Sequence, residues 1–405
     1  MTEHQTPGFM TGFSLLLPVT LSTMAIVLLA PILPQLLAEF SDVAGYEYWV
    51  PMILTIPALC IALLSPVAGM LGDYFGRRKL LLFSFLLYAA VGIAPVFLKS
   101  LSAILISRVG VGIAEALIMV LSTTMIGDYF KGASRDKWLA AQTAFASVSA
   151  LIFFNLGGQL GAFGWRTPFW AYGAAAAMFV LVLAFTWEPR GDTEVEEEAE
   201  HAPHNRSWQG FPWGNMLTIL AITIYGSVFF YTVQIQAASG LTQLGLADPA
   251  RIGFLTSIAS VGVPLGTLVY SRIGRWPVRT LLLIEFAMLA TGFFVMGHAQ
   301  GPTGFLVGCF INQIGAGLLL PTLLVWAMSL LSFEIRGRGA GLWQGSFAFG
   351  QFLSPVVVTS LARLTGGLLP AFGALAAGAV IGVAVAAVVP FRRGEQPTGG
   401  AVAHG

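Results

Sequence analysis

The stretch GMLGDYFGRRK, residues 69–79, lies between two long apolar runs and carries one aspartate and three cations. Elsewhere charge is scarce, because only 10% of the 405 residues are charged and 56% are hydrophobic. A soluble domain has about 25% charged residues, which cover its apolar core. This chain has too few charges for such a covering, so its composition predicts a membrane protein.

Twelve apolar runs are long enough to cross a membrane, since a hydrocarbon core about 30 Å thick needs roughly 20 helical residues. They occupy residues 10–35, 48–70, 79–98, 101–127, 137–161, 166–187, 213–237, 251–271, 279–298, 303–330, 339–362 and 367–390. Strand periodicity is absent and backbone polar groups need internal partners in lipid, so we predict an all-α membrane protein with twelve transmembrane helices. The first run lacks a basic leader and a small-residue cleavage site, so we interpret it as a retained helix.

The positions of the cations agree with twelve spans, which place both termini on one side. The loops and tails of that side contain fifteen cations: Arg77, Arg78, Lys79, Lys131, Arg135, Lys137, Arg190, Arg206, Arg272, Arg275, Arg279, Arg336, Arg338, Arg392 and Arg393. The other side contains four, namely Lys99, Arg166, Arg251 and Arg363. This positive-inside bias predicts a multi-pass protein of the inner (plasma) membrane with both termini in the cytoplasm.

The twelve runs divide into two related halves. TLVYSRIGRW (267–276) aligns with GMLGDYFGRR (69–78), and GAGLLLPTLL (315–324) aligns with GVGIAEALIM (110–119). We therefore predict a six-helix bundle over 1–187 and a second over 213–405, related by pseudo-two-fold symmetry. The acidic segment between them, 188–212, is predicted to be a solvated cytoplasmic linker, with a regulatory role as the alternative.

The charged stretch resembles motif A of the major facilitator superfamily, whose pattern is GxLaDrxGrkxxl. The matching residues are Gly69, Leu71, Asp73, Gly76, Arg77, Arg78 and Leu81. The twelve runs, the central linker and the weaker second copy extend the resemblance over nearly the whole chain. It implies two mutually mobile bundles that move a solute by alternating access.

The resemblance also implies a conformational gate formed by Gly69, Asp73, Gly76, Arg77 and Arg78. In the family, the aspartate meets the start of the eleventh helix, here RGRGAGLWQG (336–345). A helix N-terminus stabilises an anion, and small residues allow close packing. The alternative is that these charges only fix the topology. In the second copy Ser271 replaces the aspartate, so we expect no strong gate there.

Two acidic residues lie well inside predicted spans, Glu115 in the fourth and Glu285 in the ninth. Arg108 and Gly112 precede Glu115 in ISRVGVGIAEALIM, which resembles motif B of the same family. Arg108 and Glu115 share one helix face about 10 Å apart. Because a charge inside the membrane is costly, we predict that Glu115 carries protons and that Arg108 tunes it or binds an anionic substrate. A structural pair is the alternative, and for Glu285 we expect snorkelling or a bond to a neighbouring helix.

Further polar residues inside the spans are candidates for substrate contacts, although each also suits a helix-packing hydrogen bond. They are Tyr225, Tyr231, Gln234, Asn312, Gln313, Trp326, Trp343, Gln344 and Asn155. Together with the many Phe and Met residues, they predict a mostly apolar cavity with few polar anchors. Such a cavity suits an amphiphilic or aromatic solute better than a sugar.

The fifth run resembles motif C of the drug/proton antiporters of the family, in a degenerate form. In SALIFFNLGGQL, Gly157 and Gly158 match, whereas Phe153 and Phe154 replace the Gly-Pro pair. We therefore expect proton-coupled export of a small amphiphilic or aromatic compound. Proton-coupled uptake of an organic anion is the first alternative. A non-transporting receptor on the same scaffold and a channel are the others.

Motifs of other protein classes are missing from the sequence. It has no P-loop, no Rossmann glycine fingerprint, no Cys/His cluster with metal spacing and no hydrolase elbow. We therefore expect neither an enzyme nor a bound cofactor or metal. The net charge of +1 gives no case for nucleic acid, and Cys60 and Cys309 lie in apolar runs. The expected partners are a small-molecule substrate, protons and the lipid bilayer, and we expect a monomer.

Overall fold

A computed structural model describes residues 6–189, 211–331 and 336–388. In these ranges, twelve helices are long and apolar enough to cross a membrane, which confirms the predicted fold class. They are α1 Phe9–Glu39, α2 Tyr46–Phe75, α3 Arg77–Val96, α4 Leu101–Tyr129, α5 Gly132–Gly161, α6 Thr167–Phe185, α7 Trp213–Gln243, α8 Pro249–Ile273, α9 Val278–Gly297, α10 Pro302–Ser329, α11 Arg336–Thr365 and α12 Leu368–Val388. Most of the helices extend a few residues beyond the apolar runs, because their ends reach polar surroundings.

Local sequence signals set several helix boundaries. Gly76 separates α2 from α3 with φ +91°, a conformation that a glycine adopts without strain. The Ser100 hydroxyl caps α4 by accepting a hydrogen bond from the Ala103 amide at 3.3 Å. Asp248 caps α8 in the same way through the Ala250 amide at 3.0 Å, and Pro249 follows at the first helical position.

Helix α1 is broken where prolines remove backbone donors. Its α-helical segments Phe9–Leu16 and Val19–Val27 flank Pro18, and a 3-10 turn at Ala30–Ile32 precedes the segment Leu33–Glu39. The breaks let α1 bend while it crosses the N-terminal bundle.

The helices form two bundles, each with its own hydrophobic core. Buried residues of α1–α6 make one core, to which α7 adds Ile235, and buried residues from Phe211 to Ala386 make the other. The exact domain boundaries remain predictions, since most of the 188–212 linker lies outside the described residues.

The two bundles meet closely at the end of the molecule opposite to the start of α1, which we call the far end. There α5 crosses α8, and a Cβ atom at Gly158 would lie 2.4 Å from the Pro249 carbonyl oxygen and 2.8 Å from the Gly253 Cα. Helix α2 contacts α11 along the other seam. Only glycine allows these backbones to approach so closely.

At the opposite end, which we call the terminal end, the described parts of α2 and α11 diverge. A Cβ at Gly341 of α11 would have no atom within 4 Å, and one at Gly69 of α2 would meet only Val120 of its own bundle. The Asp73 side chain is 63% exposed. The molecule is therefore closed at the far end and open at the terminal end.

The α5–α8 crossing yields a stability prediction. Gly158→Ala should destabilise the protein by about 1–3 kcal/mol, because the new methyl group meets backbone that cannot rotate away. Gly373→Ala is the matched control, since a Cβ there has open space within 4 Å and alanine gains up to about 1 kcal/mol of helix propensity. Thermal unfolding of the purified protein in detergent measures both. A Gly158→Ala variant as stable as Gly373→Ala would contradict the described crossing.

Candidate functional site

Helix α4 brings Arg108 and Glu115 into the N-terminal bundle, two turns apart on one face. Arg108 is 0% exposed and Glu115 is 1% exposed. No ion pair within 4 Å joins their side chains, so each is accommodated by different neighbours.

Arg108 lies in an aromatic box built mainly from α6. Its guanidinium carbon is 4.6 Å from the ring centre of Tyr172 and 5.7 Å from that of Phe169. The Tyr172 hydroxyl donates to the Ala25 carbonyl at 3.3 Å, and its ring stacks on Tyr88 at 5.3 Å. Cation–π attraction strengthens when both groups are desolvated. The box therefore holds Arg108 inside its own bundle.

The Glu115 carboxyl group lies two turns further along the same face of α4, where four helices converge. The Ser22 hydroxyl of α1 lies within hydrogen-bonding reach of its carboxyl group, and Cys60 of α2 and Tyr231 of α7 are close enough to interact electrostatically. The Glu115 Oε2 atom is buried without a hydrogen-bond partner among the described residues. This carboxyl group therefore lies where the N-terminal bundle meets α7 of the C-terminal bundle.

Gly112 allows α2 to pack closely against α4 beside Glu115. A Cβ at Gly112 would lie 2.7 Å from the Cα of Pro57 and 2.6 Å from the Cβ of Cys60. Any larger residue would push α2 outward and open a gap beside the carboxyl group.

An aromatic strip continues from Glu115 towards the terminal end. Tyr231 packs against the hydrophobic cores of both bundles, and its ring centre is 5.4 Å from that of Phe347 in α11. Phe347 in turn stacks on Trp343 at 5.6 Å and 13°. The indole Nε1 of Trp343 is buried without a partner among the described residues. The strip is thus a run of largely buried aromatic rings with one free donor.

Two of the predicted amides form a direct pair between α7 and α10. Gln234 Nε2 donates to Gln313 Oε1 at 2.6 Å, and Gln313 Nε2 lies 3.4 Å from Asn312 Oδ1. Asn312 Nδ2 in turn lies 3.5 Å from the Leu289 carbonyl of α9. Gln234 Oε1 remains buried without a partner in the described part of the chain. These three residues tie the C-terminal bundle together, and only Gln234 keeps a free acceptor.

The other predicted contacts are scattered. Tyr225 donates its hydroxyl hydrogen to the Gly378 carbonyl of α12 at 2.5 Å and lines a small groove between α7, α9 and α12. Trp326 is buried in the C-terminal core, Asn155 is partly buried and Gln344 is exposed. The structure therefore does not bring these four residues together with Glu115.

The motif A residues form an ion network at the terminal end of the N-terminal bundle. Arg77 donates to Asp73 Oδ1 through Nη2 at 2.8 Å and to Asp128 Oδ2 through Nη1 at 2.6 Å. Asp128 ends α4 and was not predicted as part of the site. In this conformation Asp73 is therefore paired within its own bundle and not with the described part of α11.

A second residue missed by the sequence analysis, Glu188, lies just after α6. Its Oε1 accepts a hydrogen bond from the Arg78 amide at 3.2 Å, in the space left by the missing side chain of Gly76. The Arg78 guanidinium donates to the Leu183 carbonyl at 2.8 Å and to the Thr186 hydroxyl at 3.3 Å. The charged turn therefore also anchors the start of the linker.

A far-end latch, which we define as Glu47, Tyr48, Ser360 and Arg363, joins α2 to α11. Arg363 and Glu47 form an ion pair, and the Arg363 guanidinium carbon lies 4.7 Å from the Tyr48 ring centre. The Tyr48 and Ser360 hydroxyls are 3.4 Å apart, and Thr359 donates to the Glu47 carbonyl at 3.1 Å. The sequence could not predict that these residues are partners, since more than 300 residues separate Glu47 from Arg363.

Known structures share this architecture at low sequence identity. A bacterial homologue of the human lysosomal transporter Spinster, crystallised inward-facing and unoccupied, matches with a TM-score of 0.74 and 17% identity over 93% of this chain and 94% of that one. A D-xylose-proton symporter matches with a TM-score of 0.76 and 17% identity over 95% and 99%. The nucleoside transporter NupG matches with a TM-score of 0.74 and 11% identity over 92% and 99%.

The family model described as Major Facilitator Superfamily matches residues 15–355, which is most of the chain. The match includes the motif A turn, Arg108, Glu115 and the far-end partners Glu47 and Tyr48. With its twelve spanning helices, this multi-pass membrane protein belongs to the Major Facilitator Superfamily of transporters.

Proposed function

We propose that the protein is a proton-coupled secondary transporter that exports a small amphiphilic or aromatic compound by alternating access. One observation supports this most directly. Glu115 is a buried carboxyl group with an unpaired oxygen at the meeting point of α1, α2, α4 and α7.

A carboxyl group in this position can exchange a proton in step with the conformational cycle. Ionised and dry, it would have the Ser22 hydroxyl as its one donor among the described residues and no cation in contact, which is too little for a buried charge. Arg108 is two turns away and held by the α6 aromatic rings. Movement of the bundles that admits water to Glu115 would therefore release its proton, and closure would favour the protonated form.

The surroundings of Glu115 support a flat, largely apolar solute. Tyr231 lies close to the carboxyl group, and Phe347 and Trp343 follow it as a chain of ring contacts. An organic anion would need an accessible cation, and Arg108 is enclosed within the N-terminal bundle. The geometry therefore favours the amphiphilic or aromatic solute over the anion. The direction, export, rests on the resemblance of Gly157 and Gly158 to motif C.

We assign the orientation of the protein in the membrane from the cations of its loops and tails. The twelve-span prediction gives fifteen cations to the side of both termini and four to the other side, so we assign the terminal end to the cytoplasmic side of the inner membrane. On this assignment the described conformation is open to the inside. The far-end latch then closes the outer side, and Asp73 would leave its network to meet α11 when the inner side closes.

The proton-carrier role predicts the behaviour of Glu115→Gln, which keeps the shape and removes the charge. In proteoliposomes, accumulation of ethidium, used as an aromatic probe, driven by a pH gradient should fall to the level of protein-free vesicles. Exchange of the probe without a gradient should persist, because the bundles can still move. Glu39→Gln, which removes an exposed far-end carboxylate, is the control and should accumulate ethidium like the unmodified protein. If Glu115→Gln accumulates ethidium at the rate of the unmodified protein, the proton-carrier role of Glu115 is wrong.

The far-end latch predicts a shift in conformational population. Arg363→Ala removes an ion pair and a cation–π contact that join the two bundles at the far end, so the conformation closed at that end should lose stability. Spin labels on Tyr74→Cys and Gly341→Cys, in a Cys60→Ser background, measure the width of the terminal end by electron–electron double resonance. In Arg363→Ala, the fraction of molecules with a wide terminal end should decrease.

Glu39→Gln is again the matched control for this experiment. It disrupts a far-end ion pair, Glu39 with Arg166 at 3.7 Å, that lies within one bundle instead of joining two. The distance distribution should stay unchanged in this variant. Equal distributions for Arg363→Ala and the unmodified protein would show that the latch does not hold the far end closed.

A further inference from the structure

Glu285 of α9 is the one charged residue in the interior of the C-terminal bundle within the described ranges. It is 0% exposed. The sequences of α7, α10 and α12 contain no Asp, Glu, Lys, Arg or His at all. The cations of α8 and α11 lie near the helix ends. An ionised Glu285 would therefore be a buried charge without a counter-ion, which is strongly unfavourable.

The contacts of the carboxyl group can accommodate a protonated acid. Glu285 Oε1 is hydrogen-bonded to the Thr322 hydroxyl of α10, and Oε2 is buried without a partner in the described part of the chain. The same hydroxyl lies 2.9 Å from the Leu318 carbonyl oxygen. A threonine hydroxyl has one hydrogen to donate. If Glu285 carries a proton, it donates to Thr322, which donates to Leu318, and both contacts are satisfied.

Titratable groups on the helices around Glu285 do not supply a counter-charge. Helix α9 packs against α10 and α12 and touches Tyr225 of α7 through Phe286. The only titratable residue of α10 is Cys309, whose Sγ lies 3.4 Å from the Met296 Sδ, about 16 Å along α9 from Glu285. Tyr225 donates to Gly378, and Arg279 at the start of α9 donates to the Ala387 carbonyl.

Thr322 directly follows the interior proline of α10. Pro321 has no amide hydrogen, so the Gly317 carbonyl one turn earlier loses its helical partner. The Thr267 hydroxyl of α8 lies 3.2 Å from that carbonyl oxygen and can bond it instead. Helices bend most readily where a proline interrupts the hydrogen-bond ladder. A bend at this point would carry Thr322 away from Glu285.

We propose that Glu285 is a second proton-binding site, in the C-terminal bundle, and that bending of α10 at Pro321 releases its proton. When Thr322 withdraws, the O–H bond of Glu285 breaks, the proton passes to an entering water molecule and the carboxylate remains. On return, water gives the proton back. The inference rests on the proposed proton coupling, but it concerns a different carboxyl group and is tested without any substrate.

Infrared spectroscopy of the purified protein in lipid vesicles tests whether Glu285 is protonated. The C=O stretching band of protonated carboxyl groups at neutral pH should contain a component that disappears in Glu285→Gln. In Thr322→Val the same component should remain and move to higher frequency, because the hydrogen bond is lost. If Glu285→Gln leaves the band unchanged, Glu285 is not protonated and the proposal is wrong.

A second measurement tests whether the proton is exchanged in the transport cycle. Gly158→Trp inserts an indole between α5 and α8 where even a methyl group does not fit, so it forces the far end open. The Glu285 component should disappear from the spectrum of this variant. It should persist when Pro321→Ala is added, because the repaired helix resists bending. A component that persists in Gly158→Trp alone would identify Glu285 as a permanently neutral structural acid and overturn the proposal.

The two sites are distinguished by their own variants. Glu115→Gln should leave the Glu285 component in place, since the two residues belong to different bundles. Loss of gradient-driven transport in Glu115→Gln together with an unchanged band in Glu285→Gln would refute only the second site. Intact transport in Glu115→Gln with a band lost in Glu285→Gln would refute only the first.

Discussion

The energetic cost of burying charge governs how this protein is organised. Three charged side chains are buried in the described ranges, and each is accommodated differently. Arg108 is neutralised by no carboxylate but is surrounded by aromatic rings, whose faces attract a desolvated cation. Glu115 keeps one oxygen unpaired where the bundles meet. Glu285 has a single hydroxyl partner and no cation nearby. Buried carboxyl groups in membrane proteins usually have a function, so the proposed coupling of protons to movement is assigned to these two residues.

The contacts between the bundles close one end of the molecule and leave the other end open. At the far end, Gly158 and Gly253 bring two backbones together while Arg363 pairs with Glu47. Rigid bundles that touch there must separate at the terminal end, where Asp73 is exposed and bonded to Arg77. In the proposed cycle, closure of the terminal end would separate Glu47 from Arg363 and give Asp73 a new partner. A small difference in free energy between these sets of contacts is enough to shift the population.

The sequence predicted the helices well because each span is encoded locally, as a run of apolar residues bounded by charge or glycine. Motif A could also be recognised from the sequence, since Asp73, Gly76 and Arg77 lie close together in the chain. Partners distant in sequence were not predictable. The pairing of Glu47 with Arg363 and the placement of Glu188 against Gly76 require the packed bundles. The direction of a side chain was also hidden, because spacing put Arg108 and Glu115 on one face without showing that one meets α6 and the other α7.

The two bundles share an architecture but divide the chemistry unequally. In the second copy of the charged turn, Ser271 donates to the Leu268 carbonyl of its own helix, so the symmetrical position has no ion network of the Asp73 kind. Leu320 occupies the place that the aligned stretch gives to Glu115. The C-terminal bundle instead buries its carboxyl group in α9, one helix away from the seam, beside the proline joint of α10. On the two proposals made above, an acid at the seam would respond to water that enters between the bundles, whereas an acid behind α10 would respond to the shape of that helix. Protonation would then be connected with movement in a different way in each bundle.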